Sequence, residues 1–552
     1  MKKIHFVLIL AALITASCGS GDLLSGVGTK LQDCPRADLP YPRPEPDYTG
    51  KLEKDFSPFT EALEAYSPEQ IASREDLVSG KTILELGDLL EAGELTSFDL
   101  TVYYLERIQR YDVNWLNSVL ELNPKALIIA QALDDERAAG KVRGPLHGIP
   151  VLLKDNIATG DELHTAAGAA ALLGWDPDRD AFLVSQLREA GAVILGKANL
   201  SEWANYMDPC LPDGFSANGG QTRNPYGPFD TLGSSSGPAV AVAADLAAVS
   251  VGTETQGSII QPAEINSVVG LKTSRGLVSR DYVIPLLPPQ DVPGPLGRTV
   301  TDVAILLSAL TGVDQNDPET TLAAELAGTD FTHYLNPASL EGVRVGVFIW
   351  NENAFAAYFE ENGITDLEQQ DIFRKGFQPR TEESRELIAS LNAAGIATVE
   401  IPHTSQPSVF LVDFSTAVEA GFLQALDSFL ASLGSGAPFS SLEEIVAFNS
   451  EDPANRAPYG QGLLEGSLNN GLSAEETQEL IAGNQAAGEY SFVGNTIQIE
   501  LGPTTLAACP EGSQGETFLE LLPGEKEYQI GQEEGKTILA LSAPYVVDVP
   551  GF

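Results

Sequence analysis

Apolar positions along this chain fall into short unbroken runs that alternate with amphipathic stretches. Gly148-Ile149-Pro150-Val151-Leu152-Leu153 is too short for a helix and suits a buried strand. Ala192 to Leu195 and Ala247 to Val251 have the same character. Val343 to Val347 alternates like a strand, and Ile396 to Ile401 follows suit. Between them lie helical signals. Leu100, Tyr104 and Ile108 recur at helical spacing behind Thr96-Ser97-Phe98-Asp99, which has capping-box form. Asp180 is placed to cap a helix through Leu187 that stops at Gly191. Pro238 to Ala244 suits a helix start, and Leu387, Ile388 and Leu391 mark a helix ending at Gly395. This alternation predicts an α/β fold built on one large mixed sheet surrounded by helices. No internal repeat is visible.

The chain has 552 residues, enough for about three or four domains or one large α/β unit with insertions. With 43% apolar and 20% charged residues, it can build a large core. The net charge of −45 repels phosphate backbones and so excludes a nucleic-acid partner. It also disfavours polyanionic substrates and anionic lipid headgroups.

The N-terminus reads as a targeting segment. Met1-Lys2-Lys3 is basic, and Ile4 to Ala16 is apolar but shorter than the roughly 20 residues of a spanning helix. Thr15-Ala16-Ser17-Cys18 resembles a bacterial lipobox, although the usual aliphatic residue is displaced to Ile14. Residues 1–17 are therefore expected to be a signal peptide. The protein is expected in the bacterial cell envelope, periplasmic or at the cell surface, touching membrane only through a lipid anchor on Cys18. An ordinary signal peptide is the plainer alternative. Residues 18–50, with Pro35, Pro40, Pro42, Pro44 and Pro46, form a stiff tether, and 51–552 the remaining domain. Export leaves Cys34, Cys210 and Cys509, of which one pair can bridge. The sequence does not choose the pair.

Three segments can carry chemistry. Lys154 follows the apolar run from Ile149 to Leu153 and is drawn towards the interior, where burial favours the neutral amine, a base near neutral pH. Gly233-Ser234-Ser235-Ser236-Gly237 presents hydroxyls and backbone N–H groups ahead of a helix. Gly252-Thr253-Glu254-Thr255-Gln256-Gly257-Ser258 follows a strand, where consecutive N–H groups can converge on one point as an oxyanion hole requires. A serine needs a base, and no histidine lies close in sequence to either serine loop. Lysine can fill that role, with a second serine relaying the proton. Taken singly, each segment is equally a strand-end lysine reaching solvent, a helix cap and a turn. No CxxC or HExxH occurs, so no structural zinc site is expected.

Together, in this order, the segments resemble the amidase signature family. Gly219-Gly220-Gln221-Thr222-Arg223-Asn224-Pro225-Tyr226 and Val269-Gly270-Leu271-Lys272 extend the likeness over about 80–310. Leu442 to Asn449 and Tyr459 to Glu465 are most similar to the bacterial peptide amidases. The resemblance implies the amidase signature fold, with a catalytic core at about 80–310 and a variable region at about 311–552. It implies Lys154 as catalytic lysine and Ser258 as the acyl-forming nucleophile. The bridging serine, 24 residues before the nucleophile and after a glycine, falls on Ser234, in a cis peptide, with Ser235 in support. The N–H groups of Thr255, Gln256, Gly257 and Ser258 would form the oxyanion hole. The implied reaction is hydrolysis of a small or peptide carboxamide through an acyl-enzyme, releasing ammonia or an amine, without metal or organic cofactor.

This chain departs from the pattern at Gln256, often glycine in the family, at Ile260 for arginine and at Thr273 for proline. The family also has a Gly-Tyr-Pro-type strand near its C-terminus. Residues 480–540 match poorly and the chain ends at Phe552 about where that segment would begin, so a replaced or shortened tail is expected. Three other readings compete. One is an α/β-hydrolase-type esterase using Ser235, with His333 or His403 as base, since Gly233 to Gly237 also satisfies GxSxG. The second is the subunit that amidates charged tRNA, opposed by the charge and by export. The last is a surface binding protein that kept the fold and lost catalysis.

Overall fold

The computed structural model describes residues 45–335, 344–361, 364–402 and 409–486, with strand segments at 490–493, 496–499, 517–520, 529–533 and 536–542. The signal peptide, Cys18, most of the tether, Cys34, His403, Cys509 and much of the 480–540 tail lie outside the described residues. The described chain forms two compact units. One runs to Thr332 and resumes from Val418 to Leu472; the other takes His333–Ala417 and the described residues from Ser473 onward.

In the first unit, short helices between residues 57 and 92 lead to helix α1 (Ser97–Arg107), capped by Thr96, whose hydroxyl accepts from Asp99 N–H at 2.9 Å. Its Leu100 and Tyr104, and Ile108 just beyond it, are fully buried, as their spacing predicts. Strand β1 (Val119–Leu122) and helix α2 (Ala126–Ala138) follow. Then come β2 (Pro150–Lys154), α3 (Phe182–Glu189), β3 (Val193–Ala198), α4 (Ser236–Ala243) and β4 (Val249–Glu254). Helix α5 (Ile260–Ile265), β5 (Val269–Gly270), β6 (Val292–Gly297) and α6 (Val300–Leu310) complete the layer. The six strands form one mixed sheet in the order β1-β3-β2-β4-β6-β5. The central strands β3, β2 and β4 are parallel, and the outer pairings are antiparallel. Every residue of the three central strands is buried, which accounts for the apolar runs at Pro150–Leu153 and Val193–Leu195; polar Lys154, Lys197, Thr253 and Glu254 fall towards the carboxyl ends of the strands.

One local expectation differs. Asp180 does not cap α3, whose N-cap is Ala181 with no side-chain bond. Asp180 instead accepts from Gly160 N–H at 2.8 Å and pairs with Arg188 at 2.9 Å, so a charged partner and a loop amide outcompete the helix terminus.

The second unit has its own sheet. Strands β7 (Arg344–Ile349) and β8 (Ala397–Pro402) pair in parallel across a crossover through helices α7 (Glu352–Glu361) and α8 (Leu367–Ala393). Strands β9 (Thr517–Glu520), β10 (Gln529–Glu533) and β11 (Lys536–Ser542) extend it in the order β8-β7-β11-β10-β9. Trp350, Phe355, Phe359 and Phe377 form an aromatic core beneath it. The α/β class and the helix-flanked mixed sheet are as expected; the strands expected near 343–347 and 396–401, observed at Arg344–Ile349 and Ala397–Pro402, are hydrogen-bonded in this second sheet and not in the six-stranded one. Among the described residues no helix is long and apolar enough to cross a membrane.

Candidate active site

Strands β2 and β4 pair only as far as Leu153 with Val251. Beyond that point they part, and on the side towards β2 the backbone of Thr253 faces side chains in place of a strand, while β6 still pairs with its other edge. This gap at the carboxyl ends of the parallel strands is where open α/β sheets place ligands. Lys154, the last residue of β2, fills it and is fully buried. Its Nζ lies 2.7 Å from Ser234 Oγ, 3.0 Å from Ser235 Oγ and 3.1 Å from Thr253 O. Burial depresses the lysine to about 7, against a smaller opposite pull from the Glu254 and Asp291 carboxylates. Lys154 is therefore not a strand-end lysine reaching solvent.

Both serines arrive on the turn that leads into α4. The Gly233–Ser234 peptide is cis, as the family resemblance implies. The Ser234 carbonyl accepts from Ser201 N–H at 3.1 Å. Ser235 is the N-cap of α4; its hydroxyl donates to Thr253 O at 3.0 Å and accepts from Thr253 N–H at 3.3 Å. A Cβ at Gly252 would come within 2.7 Å of Ser235 Oγ, so glycine is what lets β4 pass this close. The loop from 222 to 235 contains no strand, so Ser235 does not stand on the strand-to-helix elbow that the esterase reading requires. Its hydroxyl is fully buried and committed to Thr253.

Ser258 sits just past β4 and is 7% exposed, and its carbonyl accepts from Ser235 N–H at 3.0 Å. Among the described residues no hydrogen bond joins the Ser258 and Ser234 hydroxyls. Catalytic hydrogen bonds often close only when substrate binds. The four expected oxyanion donors are not equivalent. Gly257 N–H is taken by Glu254 Oε1 at 2.7 Å. The N–H groups of Thr255, Gln256 and Ser258 have no acceptor among the described residues. Thr255 Oγ1 donates to Asp291 Oδ1 at 2.5 Å, and burial pushes the Asp291 carboxyl up.

A cleft of about 290 Å³ opens beside these strand ends. Asn156, Thr253, Thr255 and Asp291 line its polar side; Ile284 and Phe429 belong to its apolar side. Its charged rim is internally paired: Arg280 with Asp317 at 2.7 Å, and Arg179 with Asp281 at 2.5 Å. Among the described residues no group of three or more His, Cys, Asp or Glu side chains is arranged to hold a metal ion. Sequence reasoning missed the Thr253 carbonyl and Asp291. Thr253 stood inside a quoted motif, but nothing in a side chain's identity marks its backbone oxygen. Asp291 lies in a proline-rich stretch without periodicity. Cys210 is disulfide-bonded, in line with the expectation of one bridge, and the other two cysteines of that expectation lie outside the described residues.

A buried lysine beneath paired serines, at the carboxyl ends of parallel strands, defines an α/β protein with a serine–lysine site. Comparison places it more narrowly: the amidase family model matches residues 99–357, and the chain belongs to the amidase family. It is 40% identical to a probable amidase of Arabidopsis thaliana over 67% of this chain and 68% of that protein. It is similar in structure to an amidase family protein from Bacillus anthracis, with TM-score 0.69 and 38% identity over 79% of this chain and 82% of that one. The peptide amidase of Stenotrophomonas maltophilia matches with TM-score 0.65 and 39% identity, over 74% and 79% of the two chains. Among curated relatives, the chain spans 46%, 68% and 41% of the lengths of those from Schizosaccharomyces pombe, Arabidopsis thaliana and Arthroderma benhamiae.

Proposed function

We propose that the protein hydrolyses carboxamides through an acyl-enzyme on Ser258, with Lys154 as base and Ser234 as proton relay. The observation that carries this reading is Lys154 Nζ, shut away from water, held near 7 and 2.7 Å from a serine hydroxyl. Substrate enters with its carbonyl oxygen towards the N–H groups of Thr255, Gln256 and Ser258. Ser258 Oγ attacks the carbonyl carbon while its proton passes to Ser234 Oγ and the Ser234 proton passes to neutral Lys154. The tetrahedral oxyanion is stabilised by the fixed amides. On collapse the C–N bond breaks, and the proton returns from Lys154 through Ser234 to the leaving nitrogen. Water then repeats the sequence on the acyl ester and restores Ser258. Ammonia or an amine and a carboxylic acid are the products.

The likeness to a peptide amidase supports the C-terminal carboxamide of a peptide as substrate. Ammonia release from a panel of N-acylated amino-acid amides tests the reading, with Lys154→Ala and Ser258→Ala as controls. Activity that survives either change overturns it. A chain that neither releases ammonia nor reacts at Ser258 with a fluorophosphonate would be a binding protein on an amidase fold.

The same proposal includes export and a lipid anchor on Cys18. The Lys2-Lys3 start, the apolar run to Ala16 and the small residues before Cys18 support it. The disulfide at Cys210 fits an oxidising compartment. Palmitate labelling in a bacterial host, lost in Cys18→Ala, tests it; unlabelled wild-type protein retained in the cytoplasm refutes it.

A further inference from the structure

Glu254 closes β4 and is 2% exposed, yet its carboxylate accepts three backbone bonds from the turn that carries Ser258. Gly257 N–H reaches Oε1 at 2.7 Å; Ile259 and Ile260 N–H reach Oε2 at 2.7 and 3.0 Å. These amides bracket Ser258 on both sides. Gly257 takes a left-handed φ of +75°, which turns the chain back over the carboxylate. The result is a sorting of the turn's N–H groups. Those of 257, 259 and 260 are held inward by one side chain, and the N–H of Ser258, like those of Thr255 and Gln256, stays open to a substrate oxygen. A buried carboxylate bonded to three amides is a rigid anchor, because each charge-assisted bond is stronger than a neutral one.

Charge is the second part. The groups that face Lys154 electrostatically are Glu254 and Asp291. The cation beside Glu254 is Lys272, whose Nζ is 3.9 Å from Oε1 and donates to Thr255 O at 3.5 Å. Both carboxylates favour the lysine's ammonium form and so oppose part of the burial effect.

We propose that Glu254 is a positioning residue of the reaction: its carboxylate clamps the turn so that Ser258 and the three open amides meet one carbonyl group, and its charge acts on Lys154. This rests on the amidase reading above, and the experiment separates the two. Full-length wild type, Glu254→Gln and Glu254→Asp are compared for kcat and KM on N-acetyl-leucinamide from pH 5 to 9, for fluorophosphonate labelling of Ser258, and for thermal melting. Glu254→Gln sets an amide N–H against backbone N–H groups; kcat is expected to fall about 100-fold with KM little changed, as a misplacement near 1 Å can produce. Losing the charge also moves the acid limb of its residual activity to lower pH by roughly half a unit or more. Glu254→Asp retracts the clamp but keeps the charge, so kcat falls and the limb stays. Wild-type kcat and limb in Glu254→Gln overturn the proposal. A fallen kcat with an unmoved limb overturns its electrostatic half and leaves a structural turn-holder. If Glu254→Gln does not melt cooperatively, Glu254→Asp decides, and wild-type kcat there overturns the clamp. Wild type that is inactive on amides and unlabelled at Ser258 instead brings down the amidase reading itself.

Discussion

Ser235 holds its hydroxyl oxygen 3.0 Å from Lys154 Nζ while sending its own proton to Thr253 O, 3.0 Å away. This fixes the direction of the neighbouring bond. A neutral amine has two N–H groups and one lone pair, and Lys154 has three partners. Thr253 O, at 3.1 Å, only accepts. Ser235 has spent its proton, so towards Lys154 it also only accepts. Both N–H groups are thereby used, and the lone pair is left to Ser234, 2.7 Å away. In the proposed mechanism, two groups that take no part in bond making thus aim the base at the relay. Ser235→Ala orphans two buried donors, on Lys154 and the Thr253 N–H, and is expected to lower kcat about tenfold or more, with KM unchanged. Ser258→Ala should abolish acyl-enzyme formation. Steady-state kinetics on one amide compares them; a Ser235→Ala enzyme with wild-type kcat would remove the orienting role.

In the proposed reaction the lysine also sets the pH profile. With Lys154 near 7, its ammonium form predominates below that value and cannot accept a proton. The rate kcat/KM is expected to fall about tenfold per pH unit below 7 and to level off above it. A profile flat from pH 5 to 9 would show that the base is another group.

Stability reports the same group without any substrate. Lys154 has a folded value of about 7 against an ordinary 10.5, so between these the unfolded chain binds more protons than the folded one. Folding stability therefore rises with pH across that window. Lys154→Met has no such dependence. Melting temperatures of the two proteins should diverge in favour of wild type from pH 7 to about 10 and run parallel below 7. Parallel curves throughout would mean that the lysine is not held neutral.

Much of this site was legible in the sequence, for identifiable reasons. Lys154, Ser234 and Ser258 lie in segments whose apolar or glycine-rich surroundings announce strand ends and turns, and the order of the segments carried the family likeness. Ser234 could be told from Ser235 and Ser236 only by that likeness, since composition treats the three alike. What stayed hidden depends on backbone direction or distant partners. The carbonyl of Thr253 has no signature, and Glu254 read as one polar residue among several. The difference between Gly257 N–H and its neighbours appears only when the turn is built. In the fold, strand identity followed from local apolar runs, whereas the division into two sheets depends on which edges pair. That choice is not written in any one segment.

The cleft makes a statement about substrate charge. Its rim ions are paired with each other and its walls include Ile284 and Phe429. A charged substrate side chain would lose water there, and the lining carboxylate outside those pairs, Asp291, is already bonded by Thr255 Oγ1 and the N–H groups of Leu286 and Leu287. N-acetyl amides of leucine or phenylalanine are expected to exceed those of aspartate or lysine in kcat/KM by about tenfold or more. Phe429→Ala should narrow that preference by weakening the apolar substrates. Equal rates for lysine and leucine amides would place the side chain elsewhere.

Glu202 offers a last test on a group outside the proposed chemistry. It is 1% exposed, accepts one bond from Ala217 N–H at 2.8 Å, and leaves Oε1 without a partner among the described residues. Burial pushes its carboxyl up to about 8. A group raised from an ordinary 4.5 binds more protons folded than unfolded between those values, so folding stability falls as pH rises from 4.5 to 8. Glu202→Gln keeps an acceptor for Ala217 and does not titrate. Its melting temperature should gain on wild type by at least a few degrees between pH 4.5 and 8, and the difference should stay constant above 8. A constant difference from pH 4.5 upward would mean that the wild-type carboxylate is already ionised in place, satisfied by a partner such as ordered water.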